Sequence, residues 1–153
     1  MRNSRADSAS LAFYVECLML LSNYLFFTDA CEEALRFYEA CGLGRIVEMV
    51  RYGADSMPPK SEAMRGKVMH AKFEGDGIAF YASDNDDAEP MRGSAHHLAM
   101  DSRQSTDQLF SALSSGGLVT TALGMQPWGD YYGKLTDRFG VQWMLNCHEP
   151  ART

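Results

Sequence analysis

Two histidines, His70 and His97, are the residues of this chain best suited to acid–base chemistry. An imidazole exchanges its proton near neutral pH without special tuning, so either ring can act as a general base or hold a metal ion. Both lie in alternating segments typical of β-strands, where a lone histidine is more often a hydrogen-bonded structural residue. His96 precedes His97 and must point to the opposite face of a strand, so the pair does not clamp one ion.

A second group of interest is aromatic. Trp128, Tyr131 and Tyr132 lie in a segment that contains Gly129 and Gly133. Rings at the mouth of a cavity can stack on a planar ligand and offer it an N–H or O–H group. Trp128 can equally serve as an anchor for its own loop, and the sequence leaves both interpretations open.

The first half of the chain predicts the elements that position these residues. Thr28 or Asp29 is expected to cap a helix that Gly42 closes, and apolar residues follow helical spacing between them. The sequence predicts four strands: an aromatic-rich one at Asn23 to Phe27, an alternating one at Arg45 to Tyr52, and two more at Val68 to Phe73 and Ile78 to Ala82. The acidic stretch Asp84 to Pro90, which includes Asp86, Asp87 and Glu89, is expected to be a solvated linker.

The second half repeats this order. The pattern predicts a strand at His96 to Asp101, a helix at Ser105 to Ser114 followed by Gly116-Gly117, and strands at Leu118 to Leu123, Asp130 to Leu135 and Val141 to Cys147. Asn23 lies 14 residues before Phe37, and His97 lies 13 before Phe110. Two βαβββ modules of α+β class, forming a cupped mixed sheet, are therefore predicted.

Several motifs carry a resemblance to a known family: Phe37-Tyr38-Glu39-Ala40-Cys41-Gly42-Leu43, Met69-His70-Ala71, Trp128-Gly129, Tyr132-Gly133 and the stretch Asp137 to Asn146. The chain resembles the vicinal oxygen chelate superfamily, with its glyoxalase/bleomycin-resistance fold, and more closely the PhnB-like branch, also catalogued as a 3-demethylubiquinone-9 3-methyltransferase domain. The resemblance implies one domain at 22–147, built of modules 22–84 and 95–147, with an accessory segment 1–21 and a tail 148–153. It also implies a homodimer.

The resemblance also implies where a metal would be held. Carried over strand by strand, the four ligand positions fall on Asn23, Tyr81, His97 and Met144, of which only His97 is a credible ligand. No metal or other cofactor is therefore predicted. The residues expected to line the cavity and bind a ligand are Asn23, Phe27, His70, Tyr81, His97, Trp128, Tyr132, Gln142, Met144 and Asn146, with Leu25 sharing the face of Asn23 and Phe27.

Two functions remain open. The first is a metal-poor protein that binds a small molecule, built like the bleomycin-resistance proteins. The second is a lyase, isomerase or thiol-transfer enzyme that uses His97 or His70 as its base, with or without a divalent ion. No glycine-rich turn for a nucleotide cofactor occurs between strand and helix, so the methyltransferase name receives no support from the sequence.

Composition limits the partners and the compartment. A net charge of -6 without a basic cluster argues against nucleic acid. Cys17, Cys31, Cys41 and Cys147 form no C-x-x-C spacing and are expected to be reduced. The apolar run Leu11 to Leu21 resembles a signal peptide, but Glu16 interrupts it and no cleavage site follows. We expect an accessory segment that packs on the domain or on a partner chain, no membrane span and a cytoplasmic protein.

Overall fold

A computed structural model describes residue 19 and residues 21–149. Apart from Met19 and Leu21, the predicted accessory segment 1–21 lies outside the described residues, as does the tail beyond Glu149. The first module consists of β1 (Asn23–Phe27), α1 (Cys31–Ala40), β2 (Arg45–Arg51), a 3-10 turn (Glu62–Met64), β3 (Val68–Gly75) and β4 (Ile78–Asp84). The second consists of β5 (His96–Met100), α2 (Arg103–Ser114), β6 (Leu118–Met125), β7 (Asp130–Thr136) and β8 (Gln142–His148).

The two modules share one topology, which confirms the predicted repeat. Each forms a four-stranded mixed sheet, in the orders β1-β4-β3-β2 and β5-β8-β7-β6. In both sheets the first strand pairs in parallel with the fourth, and the remaining pairs are antiparallel. The β3–β4 hairpin turns over two residues, Asp76 and Gly77, and the positive φ of 67° at Gly77 is the conformation that glycine adopts at no steric cost.

Within the described part of the chain, each sheet is covered by helix on one face only. The buried side of α1 carries Cys31, Ala34, Leu35 and Tyr38, and it packs on the apolar residues of its own sheet. Phe110 and Leu113 of α2 pack on the second sheet in the same way. The buried residues of both modules belong to one hydrophobic cluster, so the modules share a single core.

The start of α1 differs from the prediction. Neither Thr28 nor Asp29 caps the helix: the N-cap is Ala30, which provides no side-chain cap. The start of the helix is capped instead by the carboxylate of Asp84, at the end of β4, whose Oδ1 accepts a hydrogen bond from the Cys31 N–H at 2.9 Å. The other oxygen, Oδ2, accepts one from the Val68 N–H at 2.9 Å. Asp84 is only 2% exposed, so its prediction as a solvated linker residue is wrong.

A second buried carboxylate, Asp137, joins the modules. Its Oδ2 accepts the Tyr38 hydroxyl of α1 at 2.7 Å and the Trp143 indole N–H of β8 at 2.9 Å. Its Oδ1 accepts the backbone N–H groups of Phe139 and Val141 at 2.9 and 3.0 Å. Four donors thus satisfy one buried charge. The Asp137 to Trp143 motif, which carries much of the family resemblance, therefore stabilises the junction between the two modules.

Among the residues that the structure describes, no helix has the length and apolar content needed to span a bilayer.

Candidate functional site

The face of the first sheet that lies away from α1 carries a cluster of rings. Residues paired across neighbouring strands point to the same side of a sheet, and Tyr24 pairs with Tyr81, which pairs with Lys72. The surface formed by Tyr24, Phe26, His70, Lys72 and Tyr81 is called the first open face below.

The rings of the first open face contact one another. Tyr24 stacks on Phe26 with ring centroids 4.9 Å apart, and Tyr81 stacks on His70 at 5.4 Å. The Tyr24 hydroxyl lies 3.1 Å from His70 Nδ1 and fixes the orientation of the imidazole. Phe26, on the edge strand β1, remains 46% exposed. The arrangement provides a flat aromatic platform with one imidazole.

The corresponding face of the second sheet is less apolar. His97 pairs with Met144, and Met144 pairs with Lys134; Asn146 pairs with Tyr132. The surface formed by His97, Lys134, Gln142, Met144, Asn146 and Tyr132, with Trp128 beside it, is called the second open face. It therefore brings together six of the ten residues predicted to bind a ligand, and the first open face contributes His70 and Tyr81.

Trp128 and Tyr132 lie at one end of the second open face. Their rings contact edge to face with centroids 5.7 Å apart, and Trp128 is 63% exposed. At the same end, Asp130 accepts hydrogen bonds from Asn146 Nδ2 at 3.0 Å and from the His148 ring at 2.6 Å. The hydrogen bond from His148, and after it the one from Asn146, lowers the pKa of Asp130 below its usual range. Both oxygens of this carboxylate therefore already have hydrogen-bond partners within the chain.

The two adjacent histidines have opposite surroundings, as predicted. His96 pairs with the buried Trp143, its ring lies 5.0 Å from that indole, and its Nδ1 lies 3.1 Å from Asn23 Nδ2. Burial lowers the pKa of His96. His97 is exposed on the second open face, and no residue in the described part of the chain hydrogen-bonds to its ring. It also borders a groove of 530 Å³ along the free edge of β5, with Gly77, Ala99, Asp101 and Leu109.

Three residues predicted to share the cavity lie on the opposite side of the first sheet. Asn23, Leu25 and Phe27 pair with Phe80, Ala82 and Asp84, all of them buried on the α1 side. Phe27 is 4% exposed and belongs to the core. The prediction that these residues share a face with Tyr81 is therefore wrong. The open face of β1 is instead formed by Tyr24 and Phe26, which the sequence analysis did not select.

The corrected register also changes the comparison with the metal-binding members of the superfamily. Tyr24 on β1 is the equivalent of His97 on β5, because each is paired with the matching residue of the fourth strand, Tyr81 or Met144. Two phenols, a thioether and one imidazole do not form a donor set that suits a divalent ion. The residues at these positions do not fit the metal that the fold family implies.

The cysteines of the described residues offer no alternative nucleophile at the start of α1. Cys31 is fully buried, and burial raises the pKa of its thiol well above the usual range. A thiol in such surroundings stays protonated and inert.

Known proteins share the fold and part of the sequence of this chain. The family model described as 3-demethylubiquinone-9 3-methyltransferase matches residues 20–146. Protein PA1353 from Pseudomonas aeruginosa is 36% identical with a TM-score of 0.77, covering 86% of this chain and 99% of that chain. A PhnB protein from Bacillus cereus, provisionally assigned as a 3-demethylubiquinone-9 3-methyltransferase, is 26% identical with a TM-score of 0.71, covering 84% of this chain and 99% of that chain.

A more distant structure shows how widely the fold is shared. A glyoxylase/bleomycin resistance protein/dioxygenase domain from Frankia sp. EAN1pec superimposes with a TM-score of 0.62 at 12% identity, over 89% of this chain and 96% of that chain. The fold is thus that of the glyoxalase/bleomycin-resistance class. Within that class, the chain belongs to the 3-demethylubiquinone-9 3-methyltransferase family, the PhnB-like branch of the vicinal oxygen chelate superfamily.

The methyltransferase part of the family description finds no counterpart in the site. The turns that lead from β1 to α1 and from β5 to α2, residues 28–30 and 101–102, contain no glycine. A glycine-rich turn at such a position is what lets backbone approach a nucleotide cofactor closely. These turns do not fit such a cofactor.

Proposed function

We propose that this protein binds a small organic molecule against its open sheet faces, without a metal ion. The observation that carries the proposal is the platform of Tyr24, Phe26 and Tyr81, in which the other two rings both stack on Tyr24, on a face that no helix of the described residues covers. Such a surface gains free energy when a planar ligand or another apolar surface removes it from water. Polar groups beside the rings, such as the His70 imidazole, would orient the ligand.

We further propose that the protein works as a homodimer. In one subunit the residues that the structure describes leave the open faces as surfaces rather than enclosed cavities, with Phe26 and Trp128 exposed. A second copy laid over them would bury the rings and enclose the ligand between two sheets. Symmetric pairing of this kind is the commonest form of protein oligomer.

A thermal-shift screen of the purified protein tests the binding function. The compounds are planar aromatics, small electrophiles, thiol conjugates and phosphonates, and a ligand that binds only the folded state raises the melting temperature. Replacing Tyr132 with Ala should abolish the shift given by ligands of the second open face. Tyr131→Phe is the matched control, because the Tyr131 hydroxyl points away from that face to Asp107 at 2.6 Å. The proposal would be refuted if the screen found no ligand, or if substitutions on the open faces changed the binding of none of the ligands found.

The exposed ring of His97 supports a second candidate, an enzyme of the lyase, isomerase or thiol-transfer kind. An imidazole without a hydrogen-bond partner in the described residues is free to accept a proton from a substrate. A ligand from the screen that is chemically converted by the protein, with turnover lost in His97→Gln and binding retained, would favour this candidate. A ligand recovered unchanged after long incubation would favour pure binding.

A further inference from the structure

The duplicated modules allow their open faces to be compared position by position. In the first sheet one row of paired residues runs Tyr24, Tyr81, Lys72 and Glu48 across all four strands. In the second sheet the equivalent row runs His97, Met144, Lys134 and Thr121. A lysine thus occupies the third strand of both rows.

The two lysines differ in their surroundings. In the first module, Lys72 Nζ lies 2.5 Å from Glu74 Oε1, and Glu48 is its neighbour on the adjacent strand. In the second module Thr136 stands where Glu74 would be, and Thr121 stands where Glu48 would be. Within residues 21–149, no carboxylate forms an ion pair with Lys134, and the Asp130 carboxylate further along β7 is taken by Asn146 and His148.

Lys134 also lies among other donors. The Tyr132 hydroxyl and the Gln142 amide flank it on the second open face, and neither has a hydrogen-bond partner in the described part of the chain. In a chain with a net charge of -6, a half-buried cation surrounded by unused donors is an unusual feature. Its natural partner is an anion from outside the chain.

We propose that the second open face selects an organic acid: an aromatic ring that bears a carboxylate or a phosphonate group. The ring packs against Trp128 and Tyr132, and the acid group pairs with Lys134. Tyr132 and Lys134 are two residues apart on β7, about 7 Å along the strand, which matches a ring with a directly attached acid group. This inference rests on the proposed binding function and names its ligand class.

Calorimetric titration of the full chain tests the inference with four probes: benzoate, phenylphosphonate, inorganic phosphate and the neutral benzamide. At least one aromatic anion should bind tenfold or more tightly than benzamide. Lys134→Met should remove that preference, whereas Lys72→Met, the matched change in the other module, should retain it. If benzoate alone binds tightly, the acid group of the ligand is a carboxylate. If phenylphosphonate and phosphate both bind, the acid group is a phosphorus acid. Circular dichroism confirms that both variants fold.

Each of four results would overturn the inference. Benzamide binding as tightly as both benzoate and phenylphosphonate, or unchanged anion binding by Lys134→Met, would remove the role of charge while leaving the proposed function intact. Weaker dimerisation of Lys134→Met with unaltered anion binding would show that the lysine pairs with a carboxylate of a second copy. Failure of all four probes, when compounds of the thermal-shift screen still bind the open faces, would also contradict it. The proposed function itself fails if that screen finds no ligand, or only ligands whose binding does not depend on either open face.

Discussion

The Tyr38 hydroxyl of α1 donates a 2.7 Å hydrogen bond to Asp137 Oδ2, across 99 residues of sequence and from one module to the other. Burial and the neighbouring carboxylate raise the pKa of Tyr38 far above its usual range, so the phenol remains a donor at any physiological pH. The Trp143 indole shares the same carboxylate oxygen. This contact ties the helix of the first module to the last strand of the second.

Removing that hydroxyl should weaken the module junction. Tyr38→Phe leaves Asp137 with three donors instead of four, and we expect the free energy of unfolding to fall by about 1.5–3 kcal/mol in urea denaturation. Tyr132→Phe is the control, since the Tyr132 hydroxyl has no hydrogen-bond partner in residues 21–149, and it should change stability by less than about 0.5 kcal/mol. Equal effects of the two variants would mean that the Tyr38–Asp137 bond contributes nothing.

The buried carboxylate of Asp84 should stabilise the start of α1. Asp84→Ala leaves the Cys31 and Val68 amides without an acceptor, and we expect a loss of about 1–3 kcal/mol. Hydrogen exchange should show reduced protection at these two amides in particular. Asp87→Ala, an exposed change in the same acidic stretch, should leave both amides protected. Unchanged exchange in Asp84→Ala would contradict its role as a remote helix cap.

Stability should depend on pH through His96. Burial lowers the pKa of this histidine, so the folded protein takes up the proton at a lower pH than the unfolded chain does. The unfolded state therefore binds more protons as the pH falls below about 6.5, and the stability contributed by neutral His96 is lost in that range. His96→Gln should show a smaller loss of unfolding free energy between pH 7 and pH 5 than the wild type. Identical slopes would contradict this assignment.

The open faces should mediate self-association. A carboxylate introduced by Phe26→Glu would stand beside Tyr24 on the first open face, and burying it without a partner is costly. Sedimentation velocity at micromolar concentration should show a wild-type dimer that becomes a monomer in Phe26→Glu. Ala40→Glu, an exposed change on α1, should stay dimeric. A wild-type particle of 17.0 kDa would refute the homodimer.

Much of the fold was predictable because its signals are local. Strand alternation and the glycines after the helices defined the repeat, and the faces of β8 followed from Val141, Trp143 and Leu145, all of which are buried. The face of β1 was not predictable in this way. Residues 24–27 are all apolar, so period two gives no preference, and only pairing with β4 shows which of them face α1.

The remaining differences have the same origin in long-range contacts. Asp84 resembles its acidic neighbours in sequence, yet its two backbone partners lie 53 and 16 residues away. The sequence does not single out Lys134, because a lysine in a strand is ordinary. Only the structure shows that Lys134 is the equivalent of Lys72, which forms an ion pair with Glu74, whereas Lys134 forms none within residues 21–149.

Methionine-methyl NMR tests the central claim, that a ligand binds on the open faces. Met144 lies on the second open face, while Met100 of the neighbouring strand points to the opposite side, with Cys147. Titration with a ligand found by the thermal-shift screen should shift the Met144 methyl signal, assigned by its loss in Met144→Leu, and leave Met100 in place. A ligand of the second open face, identified by its sensitivity to Tyr132→Ala, that shifts Met100 and leaves Met144 unchanged would contradict the claim.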